Sequence, residues 1–72
     1  MSVVKYGIVI EQGSHNFSAY VPDLPGCVAT GATLDETKMR LRYAIEAHLN
    51  GLREDGEPVP APSVICDWVE VA

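Results

Sequence analysis

Chemistry in this chain would have to come from a small set of side chains. Glu11, Asp23, Glu36 and Asp67 are the carboxylates at issue; a sheet that gathered them at its strand ends could hold two divalent ions and cleave a phosphodiester. Two of them have structural duties in the sequence: Glu36 belongs to a capping box and Asp23 to a turn. Cys27 and Cys66 lie far apart without C-x-x-C spacing, and His15 and His48 fall at unrelated positions. Buried thiols in strands are the plain expectation, against a long-range disulfide or a two-Cys, two-His metal site that only the fold could assemble. His48 falls on the apolar stripe of a predicted helix, where a packed, hydrogen-bonded histidine is expected, and His15 beside a turn should be solvated. No phosphate-binding glycine loop, G-x-S-x-G or H-E-x-x-H is present. No catalytic, metal or cofactor-binding residue is therefore assigned.

The elements that would position these groups are few. A chain of 72 residues is expected to form a single domain over 1–72, burying only about 60% of its unfolded surface. Chains of this size often finish their core with a partner subunit. The net charge of −5 opposes binding to a phosphate backbone or an anionic membrane and favours a basic partner. Phe17 and Tyr20 fall on opposite strand faces, so they form no stacking platform for bases. No signal peptide or membrane span is indicated, and the cytoplasm is the expected compartment.

Val3 to Glu11 alternates as a strand, Gln12 to Ser14 reads as a hairpin turn, and His15 to Val21 returns. Pro22 to Gly26 makes a stiff corner, and Cys27 to Thr30 gives a short third strand. Thr33-Leu34-Asp35-Glu36 has the capping-box form and opens a helix from Leu34 to about Asp55, with Leu34, Leu41, Ala44, Ile45, His48, Leu49 and Leu52 on its apolar stripe. Gly56 is placed as its C-terminal cap. Glu57 to Ser63 is a proline-stiffened connection, and Val64 to Val71 reads as a last strand.

The expected fold class is α+β: a two-layer β-β-β-α-β arrangement, with one helix on one face of a four-stranded mixed sheet and the last strand parallel to the first. That leaves one face open. Val3, Val9 and Val28 are expected there as a homodimer interface, because a small monomer seldom exposes so much apolar surface. The rigid corner, with Tyr20, Asp23, Leu24 and Pro25, is the candidate partner-binding loop.

The run Tyr20-Val21-Pro22-Asp23-Leu24-Pro25-Gly26-Cys27, continuing through Thr30-Gly31-Ala32-Thr33, then Ala47, His48, Leu49 and Leu52, and Glu57-Pro58-Val59-Pro60, resembles the HicB family of antitoxins. The resemblance covers nearly the whole chain. It implies a partial ribonuclease-H-like domain without catalytic acids, not an enzyme, that binds and masks a small basic toxin cleaving messenger RNA. Members commonly carry a further DNA-binding module, which is not expected within 1–72, so direct contact with operator DNA is not expected either. The alternatives are a small metal-dependent nuclease-like enzyme, and an orphan homodimeric module without a toxin.

Overall fold

The computed structural model describes residues 4–72; Val3 of the expected interface lies outside the described residues. Three short strands, β1 (Val9–Gln12), β2 (Phe17–Tyr20) and β3 (Val28–Gly31), precede one long helix, α1 (Leu34–Glu54). They form a three-stranded antiparallel sheet in the order β1-β2-β3, so the α+β class and the meander are as expected.

Register explains the two faces. Ile10 stands opposite Ala19, and Ala19 opposite Ala29; Ala19 is buried in the core beneath α1. One residue along, Val9 pairs with Tyr20 and Tyr20 with Val28. Because side chains alternate along a strand, this second row points away from the helix. Small alanines on the inner row let the helix approach closely, and Val21, Leu24, Cys27, Leu41 and Leu49 complete the buried core.

Two elements differ from expectation. β1 starts at Val9 rather than near Val3, because Tyr20, its partner, is the last paired residue of β2 and the chain then turns at Pro22, which has no N–H to offer. Residues 4–8 consequently run on without a hydrogen-bonded neighbour on that side. The fourth strand is not formed: residues 57–72 carry no strand or helix. Val64 lies against Gly7, where a Cβ would meet its Cγ1 at 2.7 Å, and the segment beyond leaves the sheet instead of aligning with its edge.

The helix is bounded as its sequence dictates. The Thr33 hydroxyl accepts the Glu36 N–H at 3.1 Å, which is half of the capping box. The other half is replaced, since the Glu36 carboxylate pairs with Arg40 at 2.6 Å and Arg40 donates to the Thr30 carbonyl at 2.9 Å. At the far end Gly56 takes φ +70, its N–H donates to the Arg53 carbonyl at 3.1 Å and that of Glu57 to the Leu52 carbonyl at 2.9 Å. These two bonds make a Schellman cap, which requires a left-handed residue at that place. Leu34, expected on the apolar stripe, is exposed in the first turn, and the position facing β3 is filled by fully buried Thr37. Its hydroxyl donates to the Thr33 carbonyl at 2.8 Å, so a polar side chain is satisfied within the core.

Candidate functional site

The corner after β2 is built from three residues that bond to one another. The Val21 N–H donates to the Cys27 carbonyl, that of Leu24 to Val21, and that of Cys27 to Leu24, each at 3.1 Å. This closed ring turns Val21, Leu24 and Cys27 inward, where all three are buried. Pro22, Pro25 and Gly26 are left outside, and Gly26 takes the left-handed φ of +89 that the turn needs. Of the corner residues named from sequence, Tyr20 and Pro25 are exposed, whereas Leu24 is fully buried and serves the core.

Asp23 is engaged differently from an ordinary turn aspartate. Its carboxylate accepts the Ser63 hydroxyl and, at 2.9 Å, the Ser63 N–H. These bonds, with a further contribution from the Val64 N–H, hold the Asp23 carboxyl below the usual aspartate value, because hydrogen bonds to a carboxylate favour its charged form. The corner thus fastens the connection that follows the helix. A second tie is the Tyr6 hydroxyl, which donates to the Pro60 carbonyl at 2.6 Å.

Two surfaces remain open. On the side away from the helix lies the row Val9, Tyr20 and Val28, with Val28 65% exposed and Glu11 next along β1 on the same face. On the helix side, an open groove of about 730 Å³ runs between residues 4–8 and one flank of α1. Val4, Tyr6, Ile8, Leu41, Ile45 and Leu49 supply its apolar lining, and Lys38, Arg42 and Arg53 bring positive charge to it, beside Glu46. Arg42 and Glu46 stand 3.6 Å apart in a solvent-exposed pair, and the three basic side chains still outnumber this one acid in the lining.

The groups that could have done chemistry are dispersed. Cys27 is buried and Cys66 exposed, both as free thiols, so the expectation that both are buried holds only for Cys27; the unformed last strand leaves Cys66 in water. Burial pushes the Cys27 thiol up from its ordinary value, which suits a packing role. Glu36 is paired with Arg40, Asp23 with Ser63, and Asp67 accepts the Trp68 N–H at 2.7 Å. Among the described residues no three His, Cys, Asp or Glu side chains are grouped to hold a metal ion, and no helix is long and apolar enough to cross a membrane. The Asp23 to Ser63 tie and the buried Thr37 escaped the sequence reading. The acid in Pro-Asp-Leu-Pro was visible as a turn former, but its partner forty residues on leaves no local trace.

Known proteins resemble this chain in sequence. Residues 6–71 match the family described as HicB-like antitoxins of bacterial toxin-antitoxin systems. The chain is 36% identical over 64 residues to an uncharacterized 14.9 kDa protein from the rep-hol intergenic region of Haemophilus phage HP1, covering 89% of this chain and 48% of the phage protein. It therefore spans about half the length of that relative. It is also 40% identical over 57 residues to a UPF0150 protein of Archaeoglobus fulgidus, covering 75% of this chain and 83% of that one. A UPF0150 protein of Thermoplasma acidophilum is 31% identical over 58 residues, covering 79% and 84%. With the family match running from Tyr6 to Val71, the chain belongs to the HicB-like antitoxin family.

Proposed function

We propose that the protein is a non-enzymatic antitoxin module that binds and masks a small basic toxin cleaving messenger RNA, in the cytoplasm and without contacting nucleic acid itself. Its frame is read as a partial ribonuclease-H-like sheet whose acids have been turned to structural use. The observation that carries the proposal is the outer row of Val9, Tyr20 and Val28 beside Glu11. An apolar strip next to an acid, on a chain of net charge −5, suits an apolar patch rimmed by basic residues, and the charge would speed encounter. Tyr20 and Pro25 extend the strip to the corner, and Asp23 keeps a negative charge there.

The same row supports a second reading, a homodimer closed through Val9 and Val28, since 65% exposure of Val28 at the end of an apolar strip invites burial by a second copy.

Affinity purification of the tagged chain from its native cells, followed by an RNA-cleavage assay of any small basic protein that co-elutes, tests the toxin reading. Recovery in fixed ratio, with cleavage suppressed by added antitoxin and restored by Val28→Glu, is the expected result. Cleavage that continues at saturating antitoxin, or a chain that co-elutes with no basic protein, would overturn it.

A further inference from the structure

Among the described residues, the segment that follows Ser63 is the most apolar exposed stretch. Ile65, Val69 and Val71 are each 88% exposed and Trp68 93%. The radius of gyration, 13.8 Å, exceeds the roughly 11 Å of a compact domain of this length, as a projecting segment requires. An apolar segment of strand-like sequence standing in water implies a site that takes it.

The groove between residues 4–8 and α1 has the matching chemistry. Its lining is apolar, and it brings together Lys38, Arg42 and Arg53, three of the five basic residues of the chain. The segment carries Asp67 and Glu70 and no Lys or Arg, so the charges are complementary. A basic toxin, by contrast, would meet like charge there. The lengths also agree: an extended run from Ile65 to Ala72 spans roughly 25 Å at about 3.3 Å per residue, and the flank from Lys38 to Arg53 roughly 22 Å at 1.5 Å per residue. Residues 4–8 add the unpaired backbone along which a strand can bond.

The segment is directed away from its own groove. Val4, Tyr6 and Ile8 line the groove, whereas Val64 lies on the side of Gly7, which alternation places on the opposite face. With Ser63 held by Asp23, the segment departs on that opposite face.

We propose that residues 65–72 of one copy dock in the groove of a second copy, and reciprocally, giving a two-fold dimer by segment exchange. Burial of Trp68 alone removes roughly 200 Å² from water, and with Ile65, Val69 and Val71 two exchanged segments reach the roughly 1,200 Å² of a stable interface. The groove and the outer row lie on opposite faces, so docking in the groove does not itself occupy Val9, Tyr20 and Val28, and the proposal does not depend on the reading above.

Trp68 is the only tryptophan, so its fluorescence reports docking while light scattering reports mass. The expected result is a dimer whose Trp68 emission moves to shorter wavelength as concentration rises. Trp68→Ser with Ile65→Asp, and separately Lys38→Glu with Arg42→Glu, should each raise the dimer dissociation constant at least tenfold without loss of helix signal. Adding Asp67→Lys and Glu70→Lys to the groove variant should restore most of that loss. A monomer with Trp68 in water at every concentration would overturn the proposal, as would a monomer with Trp68 shielded at every dilution, which would place the segment in its own groove. A dimer that ignores both tail and groove variants and is dissociated by Val28→Glu would overturn it in favour of the outer row.

Discussion

The Asp23 carboxylate takes both the hydroxyl and the N–H of Ser63, so the corner after β2 anchors the chain after α1. The charged form is the one bonded, and the Asp23 carboxyl is held below its ordinary value of 3.8, first by the Ser63 hydroxyl and then by the Ser63 N–H. A carboxyl whose folded value is depressed contributes fully above its unfolded value and loses that contribution as the pH falls through the lowered one. The tie should therefore persist at neutral pH and open only below about pH 3.8, the unfolded reference. Ser63→Ala, which keeps the N–H and removes the hydroxyl, should move the Asp23 titration up toward the ordinary value. An NMR titration of the Asp23 carboxyl carbon that is unchanged in Ser63→Ala would show that the tie is not made.

Much of this fold could be read from local chemistry. Thr33 and Gly56 mark the ends of α1 because a cap needs a specific side chain or a specific φ, and both act where the sequence puts them. Alternation put Phe17 and Tyr20 on opposite faces of β2, since a strand's period is fixed, but in β1 it does not sort burial, with Ile10 37% exposed and Val9 half-buried. The last strand could not be read in this way: Val64 to Val71 has the alternation of a strand, but a strand exists only where a neighbour accepts its hydrogen bonds. Leu24 illustrates the same limit at the candidate site. The prolines around it suggested an exposed loop, whereas the ring of bonds among Val21, Leu24 and Cys27 turns its side chain into the core.

That burial gives the corner a measurable weight. Leu24 is fully enclosed, so Leu24→Ala removes apolar contacts and leaves a cavity, at a cost of about 2–5 kcal/mol. Pro25→Ala, at an exposed position, should cost well under half of that. Urea denaturation of the two variants checks the contrast, and equal midpoints would place Leu24 outside the core.

Tyr6 ties residues 4–8 to the connection after the helix through its hydroxyl and the Pro60 carbonyl. Tyr6→Phe keeps the ring in the groove and removes one hydrogen bond, so it should destabilise by about 0.5–1.5 kcal/mol. Amide exchange of residues 61–64 should quicken at the same time, because Pro60 is then held only by its neighbours. Unaltered exchange there, together with an unaltered midpoint, would mean that the bond contributes nothing.

Helix and sheet approach closely at Gly31. A Cβ at this position would stand 2.6 Å from the Thr37 Oγ1, 2.9 Å from its backbone nitrogen and 3.2 Å from its Cα. Relieving the first contact is simple, since a hydroxyl can be deleted; the other two belong to the helix backbone and require the first turn of α1 to move. Gly31→Ala should therefore destabilise the fold by about 1–3 kcal/mol, as overpacking of a close contact does. Thr37→Ala in the same chain should fail to rescue it, because the backbone contacts remain and the hydroxyl's bond to Thr33 is lost as well. Calorimetric unfolding of the single and double variants decides the matter: recovery in the double variant would locate the obstruction at the hydroxyl, and a persistent deficit would locate it at the helix backbone that caps the sheet.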